Sequence, residues 1–232
     1  MLKGNYEVEI LVNGSPVKEY DHKGRVYIKG KEGSAYKIKV RNNGCVRIKA
    51  VISVDGLSVM DGEGASLDGR GYIVNGFSNL VVDGWRKSDS AVAEFYFSDP
   101  SKSYAARSEK DRGNIGIIGV SIIEEAYITP TYTCEGSAIT YRDLPKGTMG
   151  LSVTNCSYSA QLNSIGTGWG NEKSSNVTSV IFNGKSAPSN VFEIYYDTHD
   201  GLAKRGVDMD KHVVYVDSPQ AFPTGFCKSP KY

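Results

Sequence analysis

Tyr36-Lys37-Ile38-Lys39-Val40-Arg41, then Asn42-Asn43-Gly44, then Cys45-Val46-Arg47-Ile48-Lys49-Ala50-Val51-Ile52 is the stretch that decides the fold class of this chain. Apolar side chains recur at every second position in both halves. Tyr36, Ile38 and Val40 share one face, with the cations opposite; Val46, Ile48, Ala50 and Ile52 share another. A period of two belongs to a β-strand with one face buried and one wet. Asn-Asn-Gly tolerates a left-handed backbone, so the stretch predicts strand, tight turn, strand.

The same pattern extends outward. Upstream, Tyr6–Val12 alternates, Asn13-Gly14-Ser15-Pro16 turns, residues 17–20 return as a hairpin, and Arg25–Lys29 follows as a strand. Downstream, Asp55-Gly56 opens a Gly/Asp-rich loop through Asp61-Gly62-Glu63-Gly64 and Asp68-Gly69-Arg70-Gly71. Strands are predicted after it at 72–74, 80–82 and 91–97. Ile115-Gly116-Ile117-Ile118-Gly119-Val120-Ser121-Ile122-Ile123 is the most apolar run and is expected at the centre of the core, its glycines allowing close backbone approach or marking a bulge. Turns about every eight to twelve residues indicate a sandwich. The expected fold is all-β: an antiparallel β-sandwich, jelly-roll-like and joined as a meander, with one short C-terminal helix over 198–205 capped by Gly206.

Residues 124–176 are rich in Thr, Ser, Tyr, Gly and Asn and read as a polar surface excursion from a single domain spanning 1–216. Within it, Gly166-Thr167-Gly168-Trp169-Gly170 lacks the Gly-Lys-Thr of a phosphate loop and reads as a turn. Strands are predicted again at 177–182 and 191–196. Residues 217–232, with Pro219, Pro223 and Pro230, read as an extended C-terminal arm.

The chain has 232 residues, 40% hydrophobic and 23% charged, enough for one substantial β core. Its 27 basic and 26 acidic residues leave a formal charge of +1, so no broad field favours nucleic acid or an anionic membrane. No run approaches the roughly 20 apolar residues that cross a bilayer. Met1-Leu2-Lys3-Gly4-Asn5 lacks the apolar core of a signal peptide, which predicts synthesis in the cytoplasm as a soluble chain. Cys45, Cys134, Cys156 and Cys227 are scattered without a C-x-x-C pair, which predicts buried free thiols rather than a metal site, with disulfides, including inter-subunit ones, as the alternative.

No Gly-x-Ser-x-Gly elbow or His-Glu-x-x-His pattern occurs, and His22, His199 and His212 lie in polar, turn-like contexts. Asp61-Gly62-Glu63, with Asp55 and Asp68, fits no standard calcium loop and reads as solvated turn carboxylates. No catalytic residue, metal or cofactor is expected, and the chain reads as a non-enzyme. The candidate contact surface is Gly84-Trp85-Arg86-Lys87-Ser88-Asp89-Ser90. There Trp85 would anchor a partner, Arg86 would offer a fork, and Lys87 and Asp89 would flank them. The opposing reading buries Trp85 and pairs Arg86 with Asp89. Phe222, Phe226 and Tyr232 are the candidate anchors of the tail.

The ordered elements Ser53-Val54-Asp55-Gly56-Leu57, Gly84-Trp85-Arg86-Lys87-Ser88-Asp89-Ser90, Ala93-Glu94-Phe95-Tyr96-Phe97, Ser103-Tyr104-Ala105-Ala106-Arg107 and Asn114-Ile115-Gly116-Ile117-Ile118-Gly119-Val120 resemble an uncharacterised β-domain family of bacterial and bacteriophage genomes. The resemblance implies a single β unit, no catalytic residue and a place in a virion. The expected function is a structural or decorating component of a phage particle. It would act through contacts with copies of itself or a major capsid protein, through arms at Lys3–Tyr6 and 217–232. The alternative is a carbohydrate-binding or adhesion module on a virion or cell surface, suited to a chain with 15 Tyr and 2 Trp.

Overall fold

The computed structural model describes residues 1–108, 113–126 and 163–209. In chain order the strands are β1 (Leu2–Lys3), β2 (Tyr6–Val12), β3 (Ser15–Pro16), β4 (Glu19–His22), β5 (Arg25–Lys29), β6 (Ala35–Asn42), β7 (Ile48–Val54) and β8 (Leu57–Ser58). They continue as β9 (Tyr72–Val74), β10 (Ser78–Val82), β11 (Gly84–Arg86), β12 (Ala91–Ser98), β13 (Ile117–Glu124), β14 (Gly166–Ser174) and β15 (Asn190–Asp197). A 3₁₀ turn at Pro100–Lys102 and two short α-helices, α1 (Tyr104–Arg107) and α2 (His199–Lys204), complete the elements of the described residues.

The strands form two packed sheets, an all-β sandwich with one short C-terminal helix as expected. In the first sheet β1 pairs with β2, β2 with β6, β6 with β10 and β12, and β12 with β11 and β14. In the second, β13 lies between β7 and β15, so the most apolar run is central. β5 adds to β15 in parallel, the exception to otherwise antiparallel pairing among the described residues.

Alternation fills the space between the sheets. Val8, Ile10, Tyr36, Ile38, Val40, Phe95 and Phe97 from the first sheet meet Ile48, Ile52, Ile118, Val120, Ile122, Phe192 and Ile194 from the second, all buried. β13 pairs with β7 and β15 through Gly119 without a register shift, so no bulge lies there, and a Cβ at Gly119 would meet the Ser53 Oγ at 2.6 Å.

The meander is not what the chain does. β6 belongs to the first sheet and β7 to the second, so the Asn42-Asn43-Gly44 turn is a corner between sheets. Asn42 is buried there, and its side chain satisfies the backbone that the corner strands: Nδ2 donates to Val46 O at 2.7 Å and Asn75 O at 3.1 Å, and Oδ1 accepts from Gly44 N at 3.0 Å. Val17 N still bonds Ile10 O of β2 at 2.9 Å, but the chain then leaves the β2–β3 hairpin, and Glu19–His22 joins the second sheet as β4.

Three other expectations are corrected. Gly166–Ser174 is no turn but a strand paired along β12. Residues 177–182 form no strand, and Ile181 is 86% exposed. The N-terminal arm folds back as β1 on β2, and Lys3 Nζ donates to Val191 O. The predicted helix is present as α2, with Thr198 Oγ1 accepting from Gly201 N at 3.1 Å and Gly206 following at φ +77°. Residues 127–162 of the excursion and the arm at 217–232 lie outside the described residues.

Candidate functional site

A pocket of about 240 Å³ opens where β11, β14, α1 and the loop after β8 meet. Three aromatic rings step outward through it. Trp85 on β11 is 1% exposed; its indole N–H donates to Gly168 O at 3.2 Å, and its ring stands edge-on to Phe95 in the core. Tyr104, the first residue of α1, lies 4.8 Å from Trp85 and 4.8 Å from Trp169, between centroids. Trp169 on β14 is 39% exposed and ends the series at the surface. Trp85 is therefore not the surface anchor that the tip sequence suggested: the core claims it, and Trp169 takes the outer position.

Glycines set this geometry. A Cβ on Gly168 would lie 2.3 Å from Tyr96 Cζ, and one on Gly170 would lie 2.7 Å from Glu94 O, so β14 lies tight against β12. Gly62, at φ +70°, lets the loop after β8 close on Tyr104, whose Oη lies 2.4 Å from where its Cβ would be.

The polar rim is partly spent and partly free. Arg86 is fully occupied: Nε and Nη2 donate to Tyr72 Oη, Nη1 to Ser175 O at 2.5 Å and Ser88 O at 3.3 Å, and Nη2 to Ser175 Oγ at 3.1 Å. Its partners are neutral oxygens, not the Asp89 carboxylate. Lys87 is ion-paired with Glu172, and Asp89 is exposed, its backbone oxygen accepting from Val177 N. Asp61 borders the opening with one bond, Oδ1 accepting from Glu63 N at 3.2 Å. Tyr104 Oη, Trp169 Nε1 and Asp61 Oδ2 have no hydrogen-bond partner among the described residues. An aromatic wall with such groups beside it suits a ligand that has an apolar face and hydroxyls.

A buried acid holds β14 in place. Asp55 is no solvated turn carboxylate: it sits in the β7–β8 turn, wholly buried, its φ of 51° sending the chain into Gly56. Oδ1 accepts from Gly116 N at 2.8 Å and from the Tyr196 hydroxyl; Oδ2 accepts from Thr167 N at 2.8 Å. Thr167 Oγ1 bonds both Tyr36 Oη (2.8 Å) and Tyr196 Oη (2.6 Å). Burial pushes the Asp55 carboxyl up to about 6, against the opposing pull of its donors. Burial and the nearby carboxylate hold the Tyr36 and Tyr196 hydroxyls well above their usual range.

No family model, curated protein or solved structure matches the chain.

The other sequence candidates are dispersed. His199 is exposed, and Nδ1 faces a still more exposed Asp200 at 3.3 Å rather than a cleft. Cys45 is exposed rather than buried. Among the described residues no three His, Cys, Asp or Glu side chains form a metal cage, and no helix is long and apolar enough to cross a membrane. Phe222, Phe226, Tyr232, His212, Cys134, Cys156 and Cys227 lie outside the described residues.

Proposed function

We propose that the protein is a non-enzymatic carbohydrate-binding or adhesion module, carried on a virion or cell surface. The observation that carries this reading is the Trp169–Tyr104 ring pair, 4.8 Å apart, with Trp169 exposed at the surface and Asp61 Oδ2 beside it without a hydrogen-bond partner among the described residues. Sugars present an apolar C–H face and a rim of hydroxyls, and aromatic rings flanked by hydrogen-bonding groups complement both. The site is seated on strands and backed by a buried ring, so little order is lost on binding.

A role as a structural or decorating component of a phage particle is the second reading. It is favoured by apolar side chains that the sandwich leaves uncovered, Phe77 at 77% and Ile181 at 86% exposed, with Val180 beside Ile181. Its partners would be copies of the chain or a major capsid protein.

The full-length chain on a glycan array tests the first reading, with co-sedimentation on phage particles as the parallel arm. Reproducible binding to a related set of glycans supports the module. Particle binding without any glycan signal would transfer the assignment to protein contacts.

A further inference from the structure

We infer, resting on the carbohydrate reading, that the pocket takes one neutral pyranose at the end of a glycan, its apolar face on Trp169 and a hydroxyl pair on Asp61. Size is the first argument. About 240 Å³ lies below the roughly 300–1,000 Å³ of sites for drug-sized ligands, and the buried Trp85 is among the residues that line it. One ring fills such a space; a chain of several does not.

Charge is the second argument. Two cations line the pocket, yet neither offers an acid a free guanidinium fork. All five N–H groups of Arg86 already meet Tyr72, Ser88 and Ser175, and Lys87 is held by Glu172. A uronic or sialic acid would therefore bring its carboxylate against Asp61 without a free fork to receive it. A cationic ligand, such as an amino sugar or a quaternary ammonium, would find the rings and Asp61 but would lie beside Arg86, which has no carboxylate within ion-pair distance among the described residues. A neutral polyol meets neither penalty. Its hydroxyls donate to Asp61 Oδ2, and Tyr104 Oη can donate to them or accept from them.

The test uses the full chain and isothermal titration with methyl α- and β-hexopyranosides (glucose, galactose, mannose), glucuronate, glucosamine and choline. The expected result is that a neutral methyl hexoside binds, and that its linked di- and trisaccharides bind no more than a few-fold tighter. Asp61→Asn is at an exposed position and should weaken that ligand about tenfold, the difference between a charge-assisted and a neutral hydrogen bond. Trp169→Ala should abolish it. Preference for glucuronate, glucosamine or choline, or a requirement for three linked residues, overturns the inference and leaves the aromatic site standing. No response to any saccharide removes the carbohydrate reading as well.

Discussion

The Asp55 carboxylate accepts the backbone N–H of Thr167 at 2.8 Å, so an acid in a turn of one sheet fixes the strand that carries Trp169 in the other. Thr167 and Trp169 lie two residues apart on β14, and the buried polar cluster and the open aromatic pocket share that strand. Each can be perturbed separately.

Stability should depend on pH through Asp55. Folding raises its pKa from the usual 3.8 to about 6, so the folded chain keeps a proton that the unfolded chain has released. The corresponding stability is full below about pH 4 and is lost as pH rises through about 6. A rise of that size corresponds to about 3 kcal/mol. Asp55→Asn removes the titration while keeping a residue that tolerates positive φ. The wild-type minus Asp55→Asn difference in urea unfolding free energy should therefore fall between pH 4 and pH 7.5. A difference that stays flat or grows would contradict the assignment.

Thr167→Val keeps the shape and removes the hydroxyl shared by Tyr36 and Tyr196. Two buried phenols then lose a partner, at a cost of about 1–3 kcal/mol. Urea unfolding at pH 7 should show this loss, and the pH dependence from Asp55 should persist, because Val retains the backbone N–H.

Gly62→Ala places a methyl group against Tyr104 Oη at a backbone angle of φ +70°. The expected loss is about 1–2 kcal/mol, larger than a compatible Gly→Ala change would gain. Adding Tyr104→Phe removes the nearest clashing atom, so the double variant should be more stable than the two single losses sum to, by at least about 0.5 kcal/mol. Strict additivity in thermal unfolding would mean that the loop does not close on Tyr104.

Much of the sandwich is legible in the sequence. Period-two alternation marks β2, β6 and β13, because each has one face against a core and the other differently surrounded. Alternation tells which face of a strand is buried but not which sheet receives it, so the corner at Asn42 was invisible. β14 reads as a turn because of its glycines, yet Gly168 and Gly170 are required by Tyr96 and Glu94 across the strand pair. Residues 177–182 carry strand-like residues but no ladder to join. Asp55 looks like any Asp-Gly turn; the donors that bury it lie 61 and 112 residues away, at Gly116 and Thr167. The pocket was missed for the same reason, since Trp85, Tyr104 and Trp169 meet only through the pairing of β12 with β11 and β14 and the seating of α1.

The two tryptophans give the most direct test. In a ¹⁵N–¹H spectrum of the full-length chain the Trp85 indole N–H, bonded to Gly168 O, should exchange slowly with water, and the Trp169 indole N–H should exchange fast. Titrating a saccharide that the chain binds should move the Trp169 indole signal in proportion to occupancy and leave that of Trp85 nearly in place, and Trp169→Ala should lose binding. A saccharide that binds without moving the Trp169 signal, or binds Trp169→Ala equally well, would contradict the placement of the site.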